Sequence, residues 1–276
     1  MNSILQNDLN DLENILEKAK QHGIAFLDNL ENVPTSSKNT IDPTRKLDET
    51  GLGSLGALEE FKERLAPLMV ASPGPRYLGF VTGGSTPASI VGDWLSTVYD
   101  QNTQAVKAQG GTSALIEFET IHLLRQLLGL PESFLGGFVT GATMSNFTCL
   151  GVARQWIGAQ SGKDFAKNGV SGSIPILTAT PHSSSIKTLS MLGIGSNNYT
   201  VLKTAEGNRE AIDIDDLQKN IESLNGEPFI LISSAGTVNT ADFDDFAAIA
   251  KLREKYNFWW HIDAAFGGFA AVSEKF

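Results

Sequence analysis

Three short stretches carry residues whose types and spacing could do chemistry together. The first is the run from Trp259 to Gly268, WWHIDAAFGG, in which Asp263 sits near the end of an otherwise apolar segment. An unpaired carboxylate costs several kcal/mol to bury, so this position calls for a cationic partner. Only tiny side chains follow it, among them Ala264, Ala265, Gly267 and Gly268, and these leave room for a flat ring to approach the backbone. A heterocyclic nitrogen that must stay protonated would meet both conditions. His261 and Asp263 could also be taken for a metal pair, but two residues on one strand make a weak signature, and no metal site is expected.

The second stretch is Thr140-Gly141-Ala142-Thr143-Met144-Ser145-Asn146, which follows the apolar run GGFVT and opens a segment with Leu150, Ala153 and Trp156 at helical spacing. Small residues at a helix start let backbone N–H groups point at an anion, and Thr143 and Ser145 can add hydroxyl donors. A phosphate is the natural guest, while the plainer alternative is that Ser145 only caps the helix. The third stretch is Thr180-Pro181-His182-Ser183-Ser184-Ser185, just past the run IPILTAT. His182, next to a rigid proline, could stack on a planar ligand or donate a proton, or it could be purely structural.

These residues need a scaffold, and the chain supplies a recognisable one. At 276 residues it can bury one large α/β core with appended segments. From Gly136 onward short β-rich runs alternate with helical patterns: GGFVT before a helix over 145–160, IPILTAT before 183–192, YTVLK before 215–223, PFILIS before 244–255, and finally FWWHID. That alternation predicts βαβ units and a mainly parallel sheet, whose ligands gather at the carboxyl ends of the strands. Upstream, Leu9, Leu12, Ile15, Leu16 and Ala19 predict an amphipathic arm over 7–30. Further helices are predicted over 56–69, 87–99 and 113–128, the first ended by the Pro-Gly-Pro at 73–75. The expected division is an N-terminal helical arm and linker, 1–70, and a ligand-binding large domain, 71–276.

Composition narrows the partners. A net charge of −10 without a basic cluster argues against nucleic acid or an anionic membrane surface, and leaves small molecules as the expected ligands. Cys149 is the single cysteine and four histidines are scattered, so neither a disulfide framework nor a zinc-finger spacing is present. With no basic, then apolar, leader and no run long enough to span a bilayer, a cytoplasmic protein is expected. The stretch Gly51-Leu52-Gly53-Ser54-Leu55-Gly56 matches the dinucleotide pattern G-x-G-x-x-G, but its polar lead-in, Arg45 to Thr50, is not a strand, so it reads as a helix lead-in.

Phosphate cradle, ring-facing histidine and ring-nitrogen aspartate together describe pyridoxal phosphate. The sequence resembles the group II pyridoxal-phosphate-dependent amino-acid decarboxylases, the glutamate and aromatic-amino-acid decarboxylase superfamily. The motifs that carry the likeness are Gly74-Pro75-Arg76-Tyr77, Leu130-Pro131-Glu132, Gly141 to Asn146, His182-Ser183-Ser184, Ser234-Ala235-Gly236-Thr237 and His261 to Ala265. The resemblance implies the large domain of the aspartate-aminotransferase-like fold, fold type I, with a parallel sheet flanked by helices. It implies that Asp263 pairs with the pyridine nitrogen and that His182 stacks on the ring. Ala142, Thr143 and Ser145 would hold the phosphate, and Ala265 would touch the other ring face. Thr237 would approach the pyridoxal hydroxyl or the substrate.

Two departures stand out: Val238 occupies the place of a frequent second threonine, and Gly74 that of a usual histidine. The family's Schiff-base lysine follows the aspartate by a few dozen residues, whereas this sequence reaches Phe276 with only Lys275 in between. The expectation is therefore a large domain incomplete at its C-terminus. The implied activity is decarboxylation of an L-amino acid by a homodimer. The alternatives are other chemistry of the same cofactor, as in a carbon–carbon lyase or an aminotransferase, or a noncatalytic fragment.

Overall fold

The computed structural model describes residues 3–38, 41, 47, 49–80, 82–102 and 111–274; Pro43, Arg45, Lys46, Asp48 and Lys275 lie outside them. The chain forms two compact units, residues 1–100 and 101–276. In the first unit the predicted arm is two helices, α1 (Ser3–Asn10) and α2 (Leu12–Asp28), followed by α3 (Gly53–Arg64) and α4 (Pro87–Tyr99). Gly51 and Leu52 lead directly into α3, whose start is capped from a distance: the Asp8 carboxylate accepts from Ser54 N and Oγ at 2.9 and 2.7 Å. Beyond the end of α2, the Arg76 guanidinium donates to the carbonyls of Leu30, Glu31 and Val33 and so ties down the turn that follows the helix. Thr86 and Ser89 form a reciprocal capping box that starts α4 just before Pro87. No residue of α1 or α2 is buried.

The second unit holds the sheet. Its elements are α5 (Thr112–Leu127), α6 (Ala142–Gln160), α7 (Phe165–Asn168), β1 (Ile176–Thr178), α8 (Ser183–Met191), β2 (Thr200–Val201), α9 (Ile214–Ser223), β3 (Phe229–Ser234), α10 (Phe246–Arg253) and β4 (Phe258–Asp263). Among the described residues the strand order is β2-β1-β3-β4, and every pair is parallel. A parallel sheet must be covered on both faces, and β3 shows how the sequence does it. Ile230 and Ile232 join one apolar cluster with Leu150, Ala153, Ile157 and Leu189 of α6 and α8. Phe229 and Leu231 join the other, with Leu217 and Ile221 of α9 and Ile249 and Leu252 of α10. Alternate side chains of a strand point to opposite faces, so one unbroken apolar run fills both layers. Each fully buried aliphatic or aromatic side chain there contributes about 1.5–3 kcal/mol.

The helices on the second layer begin at aspartates. Asp213 and Asp245 accept from Asp216 N and Ala248 N, closing the first turns of α9 and α10. One predicted strand is absent. Residues 136–140 belong to no strand, and Phe138 is 58% exposed. A β-rich run becomes a strand only where a neighbour takes up its backbone hydrogen bonds; here Phe138 N donates instead to Glu117 Oε1 at 2.8 Å. Among the described residues β4 pairs with β3 alone.

Candidate functional site

The site lies where β4 ends. Ser234 of β3 and Asp263 of β4 are register partners, and the ladder continues into the loops through Ala235 N donating to the Asp263 carbonyl at 2.8 Å. The turn after β3 then meets the turn after β4, with Gly267 N donating to Ala235 O at 2.8 Å. Gly236 makes that approach possible: its φ is +92°, and a Cβ there would lie 2.9 Å from Gly267 N. The sheet thus delivers a half-buried carboxylate to a turn whose following residues include Ala264, Ala265 and Gly267.

Asn146 connects this carboxylate to the other two stretches. It lies one turn into α6, is 4% exposed, and points along the same helix face as Leu150, Ala153 and Ile157. Its Nδ2 donates to Asp263 Oδ2 at 3.1 Å, to Ser184 Oγ at 3.1 Å and to Ser185 Oγ at 3.3 Å. Ser184 Oγ in turn lies 2.8 Å from His182 Nδ1, which also accepts from Ser184 N and so caps α8. A backbone N–H can only donate, so Nδ1 carries a lone pair and the proton of a neutral His182 is on Nε2. One amide therefore ties together the helix of the phosphate stretch, the histidine stretch and the aspartate.

Ala142, Thr143 and Ser145 occupy the first turn of α6, a 19-residue helix. Gly141 precedes them at φ +126° with open space where a Cβ would stand, and no side chain caps this end. The first N–H groups of a helix lack intrahelical acceptors and carry the positive end of its dipole, which suits an anion. The plainer expectation, Ser145 as a cap, does not hold: Ser145 lies inside the helix and its own N–H bonds to Gly141 O. His182 is exposed at the start of α8, and Ala265 is exposed beside Asp263, donating its N–H to Asp263 Oδ1 at 3.2 Å.

Thr237 stands apart from this network. It is buried, its hydroxyl lies 2.9 Å from that of Thr240, and it accepts from Asp242 N. Val238, at the position of the missing second threonine, is 48% exposed.

His261 was weighed as half of a metal pair, but the fold gives its Nε2 to Asn146 Oδ1 at 2.9 Å. Burial pushes its pKa down to about 4, against a smaller opposing pull from the Asp263 charge. Asn146 was given no role of its own by the reading of motifs, and His261 only that of a metal-pair candidate. A signal was present at Asn146, a polar residue at helical period with Leu150, Ala153 and Ile157 on a stripe that is otherwise apolar.

Asp263 has only neutral partners, the Asn146 amide and the Ala265 N–H, and no cation pairs with it among the described residues. The donor set therefore fits a ligand that brings its own cationic N–H, and the uncapped α6 terminus fits an anionic group on the same ligand.

Comparison with known proteins agrees with this chemistry. The chain is 32% identical over 206 residues to an aromatic-L-amino-acid decarboxylase of Bacillus atrophaeus, covering 73% of this chain and 40% of that protein. It is 29% identical to an L-2,4-diaminobutyrate decarboxylase of Acinetobacter baumannii, covering 61% of this chain and 36% of that one. The chain thus spans less than half the length of these relatives. In structure it superposes on Oryza sativa TDC, crystallised with PLP and tryptamine, at a TM-score of 0.81 and 20% identity, over 97% of this chain and 57% of the other. That likeness assigns the fold, a fold-type-I large domain with its parallel sheet flanked by helices. Residues 35–276 match the pyridoxal-dependent decarboxylase conserved domain, and on that match the chain belongs to the pyridoxal-dependent decarboxylase family.

Proposed function

We propose that this chain binds pyridoxal 5'-phosphate and serves the decarboxylation of an L-amino acid. The observation that carries the reading is Asp263: a half-buried carboxylate oriented by neutral donors alone, at the strand end where the phosphate and histidine stretches meet. Asp263 would hold the protonated ring nitrogen and keep its proton in place. His182, locked at Nδ1 by Ser184, would lay its imidazole on one ring face, and Ala265 would bound the other. Ala142, Thr143 and Ser145 would bind the phosphate through the first-turn N–H groups and hydroxyls of α6. Thr237 would support the turn beside the pyridoxal hydroxyl or the substrate. When bound, the cofactor supplies an electron sink for the pair left behind as carbon dioxide departs.

The test has two parts. Equilibrium dialysis of the chain against pyridoxal 5'-phosphate is expected to show one saturable site, and a panel of L-amino acids is expected to yield carbon dioxide from one class. Carbonyl or amine-exchange products without carbon dioxide would assign carbon–carbon lyase or aminotransferase chemistry instead. Binding with no turnover of any kind would assign a noncatalytic role.

A homodimer in the cytoplasm completes the reading. Leu5, Leu9, Leu12, Leu16 and Ile24 of α1 and α2 are 44–51% exposed, as suits an arm that lies against a second copy; light scattering that found a stable monomer would refute it. No helix of the described residues is long and apolar enough to cross a membrane. The single cysteine suits a reducing compartment, which cell fractionation would check.

A further inference from the structure

Asp263 is useful only if its oxygens point correctly, and the structure contains a device that orients them. Asn146 and His261 are 4% and 6% exposed; the amide joins His261 to Asp263, and His261 meets it through Nε2. An ionised carboxylate only accepts hydrogen bonds, so the Asn146 NH2 must face Asp263, and its carbonyl oxygen must then face His261. That oxygen can only accept, so His261 Nε2 must carry hydrogen. Burial keeps His261 neutral, leaving one ring proton, and the geometry places it on Nε2. A flipped amide would set two acceptors against each other at the carboxylate and two donors against each other at the imidazole. The arrangement is self-consistent in one sense only.

The geometry points to Asn146 and His261 as positioning residues: the His261 Nε2–H fixes the amide, and the amide fixes the carboxylate that meets the ring nitrogen of the cofactor. The inference rests on the cofactor reading above. With Oδ2 held by Asn146 and Oδ1 by the Ala265 N–H, each oxygen keeps a further lone pair, and both are held in one plane for the incoming N–H. The bonds to Ser184 and Ser185 anchor the same amide to α8, so the carboxylate and the His182 cap share one anchor.

The experiment uses the full chain and three variants. Asn146→Asp keeps the shape but removes the donor toward Asp263. His261→Leu removes the donor toward Asn146, and His261→Gln keeps one. In the cofactor-free wild type, side-chain nitrogen NMR is expected to show His261 neutral at pH 7 with its proton on Nε2. Pyridoxal 5'-phosphate is expected to bind about tenfold more weakly, or worse, to Asn146→Asp and His261→Leu, and His261→Gln is expected to restore most of that loss. In His261→Leu, which adds no charge, the bound ring nitrogen, read by its own 15N shift, is expected to lose its proton at a lower pH than in wild type.

A wild-type His261 protonated on Nδ1 would overturn the inference, and that result needs no variant to fold. So would impaired variants that melt like wild type, bind with wild-type affinity and leave the ring-nitrogen shift unmoved. If the wild type bound no cofactor, the functional reading would fail, while the tautomer of His261 would still decide whether the relay exists.

Discussion

Asp244, in the segment after β3, and Asp263, the last residue of β4, are carboxylates at the same level of the sheet, since Asp244 bonds to Ser234, the register partner of Asp263. Asp244 is the more deeply buried, at 6% exposure, and accepts from Ile212 N at 2.6 Å and Ser234 N at 2.7 Å. Burial pushes its carboxyl up while those backbone donors pull it down. Its oxygens tie two backbone segments together. Asp263 is less buried, takes one side-chain amide and one N–H from its own loop, and faces small residues. Burial alone therefore does not mark the functional acid; what matters is whether its donors come from distant backbone segments that the acid ties together, or leave a direction open.

Four measurements would sharpen or break this contrast. The largest effect is expected at Asp263→Asn, which should weaken pyridoxal 5'-phosphate binding by about 3–5 kcal/mol while leaving the melting temperature nearly unchanged. Next, Asp244→Ala strands two buried N–H groups and is expected to cost about 2–4 kcal/mol of stability by denaturant titration, with cofactor affinity retained in the folded protein. Were these two outcomes exchanged, the roles assigned to the acids would be reversed.

The third concerns pH. His261 has a folded pKa near 4, below the 6.5 of an unfolded chain, so the unfolded state binds its proton first on acidification. Its contribution is constant above pH 6.5 and is lost as pH falls toward 4, on the order of 3 kcal/mol, and His261→Gln should flatten that segment of a stability profile. Asp244 has the opposite sign: its raised carboxyl favours the folded state when protonated, so its contribution falls as pH rises through the folded value.

The smallest effect lies nearby. Arg209 holds Asp242 down at about 2 through paired bonds of 2.7 Å, so that contribution is present above about pH 4 and is lost as pH falls toward 2. Because Arg209 is half exposed, Arg209→Ala is expected to lower stability only slightly in a denaturant titration at neutral pH, with the loss shrinking further as pH falls toward 2.

Local pattern reached far along this chain and stopped at definite places. The alternation of apolar runs and helical spacing in 174–263 corresponds to β1 through β4 and the helices between them, because β1, β3 and β4 feed both apolar layers and each helix one, while the exposed β2 only edges the sheet. The stretches around Gly141, His182 and Asp263 were legible as strand-end or helix-start chemistry, and the fold brings them onto one amide. That amide, Asn146, was not singled out, because its partners stand 38 to 117 residues away and nothing local fixes such a pairing. The run 136–140 shows the converse: its residue types favour a strand, but a ladder needs a neighbour that composition cannot supply. Likewise Thr240 and Asp242 engage the hydroxyl of Thr237 within its own turn, a pairing that no local pattern announces.

The outer flank of β4 carries a further consequence. The Asp263 carbonyl faces β3, and backbone groups alternate sides along a strand, so Phe258, Trp260 and Ile262 turn their N–H and C=O groups away from the ladder. Among the described residues no strand takes up that flank, and six residues without lysine or proline leave its backbone groups as a template for a further strand. Concentrated solutions of this polypeptide should therefore self-associate through added sheet, and a lysine at Ile262 should slow that aggregation.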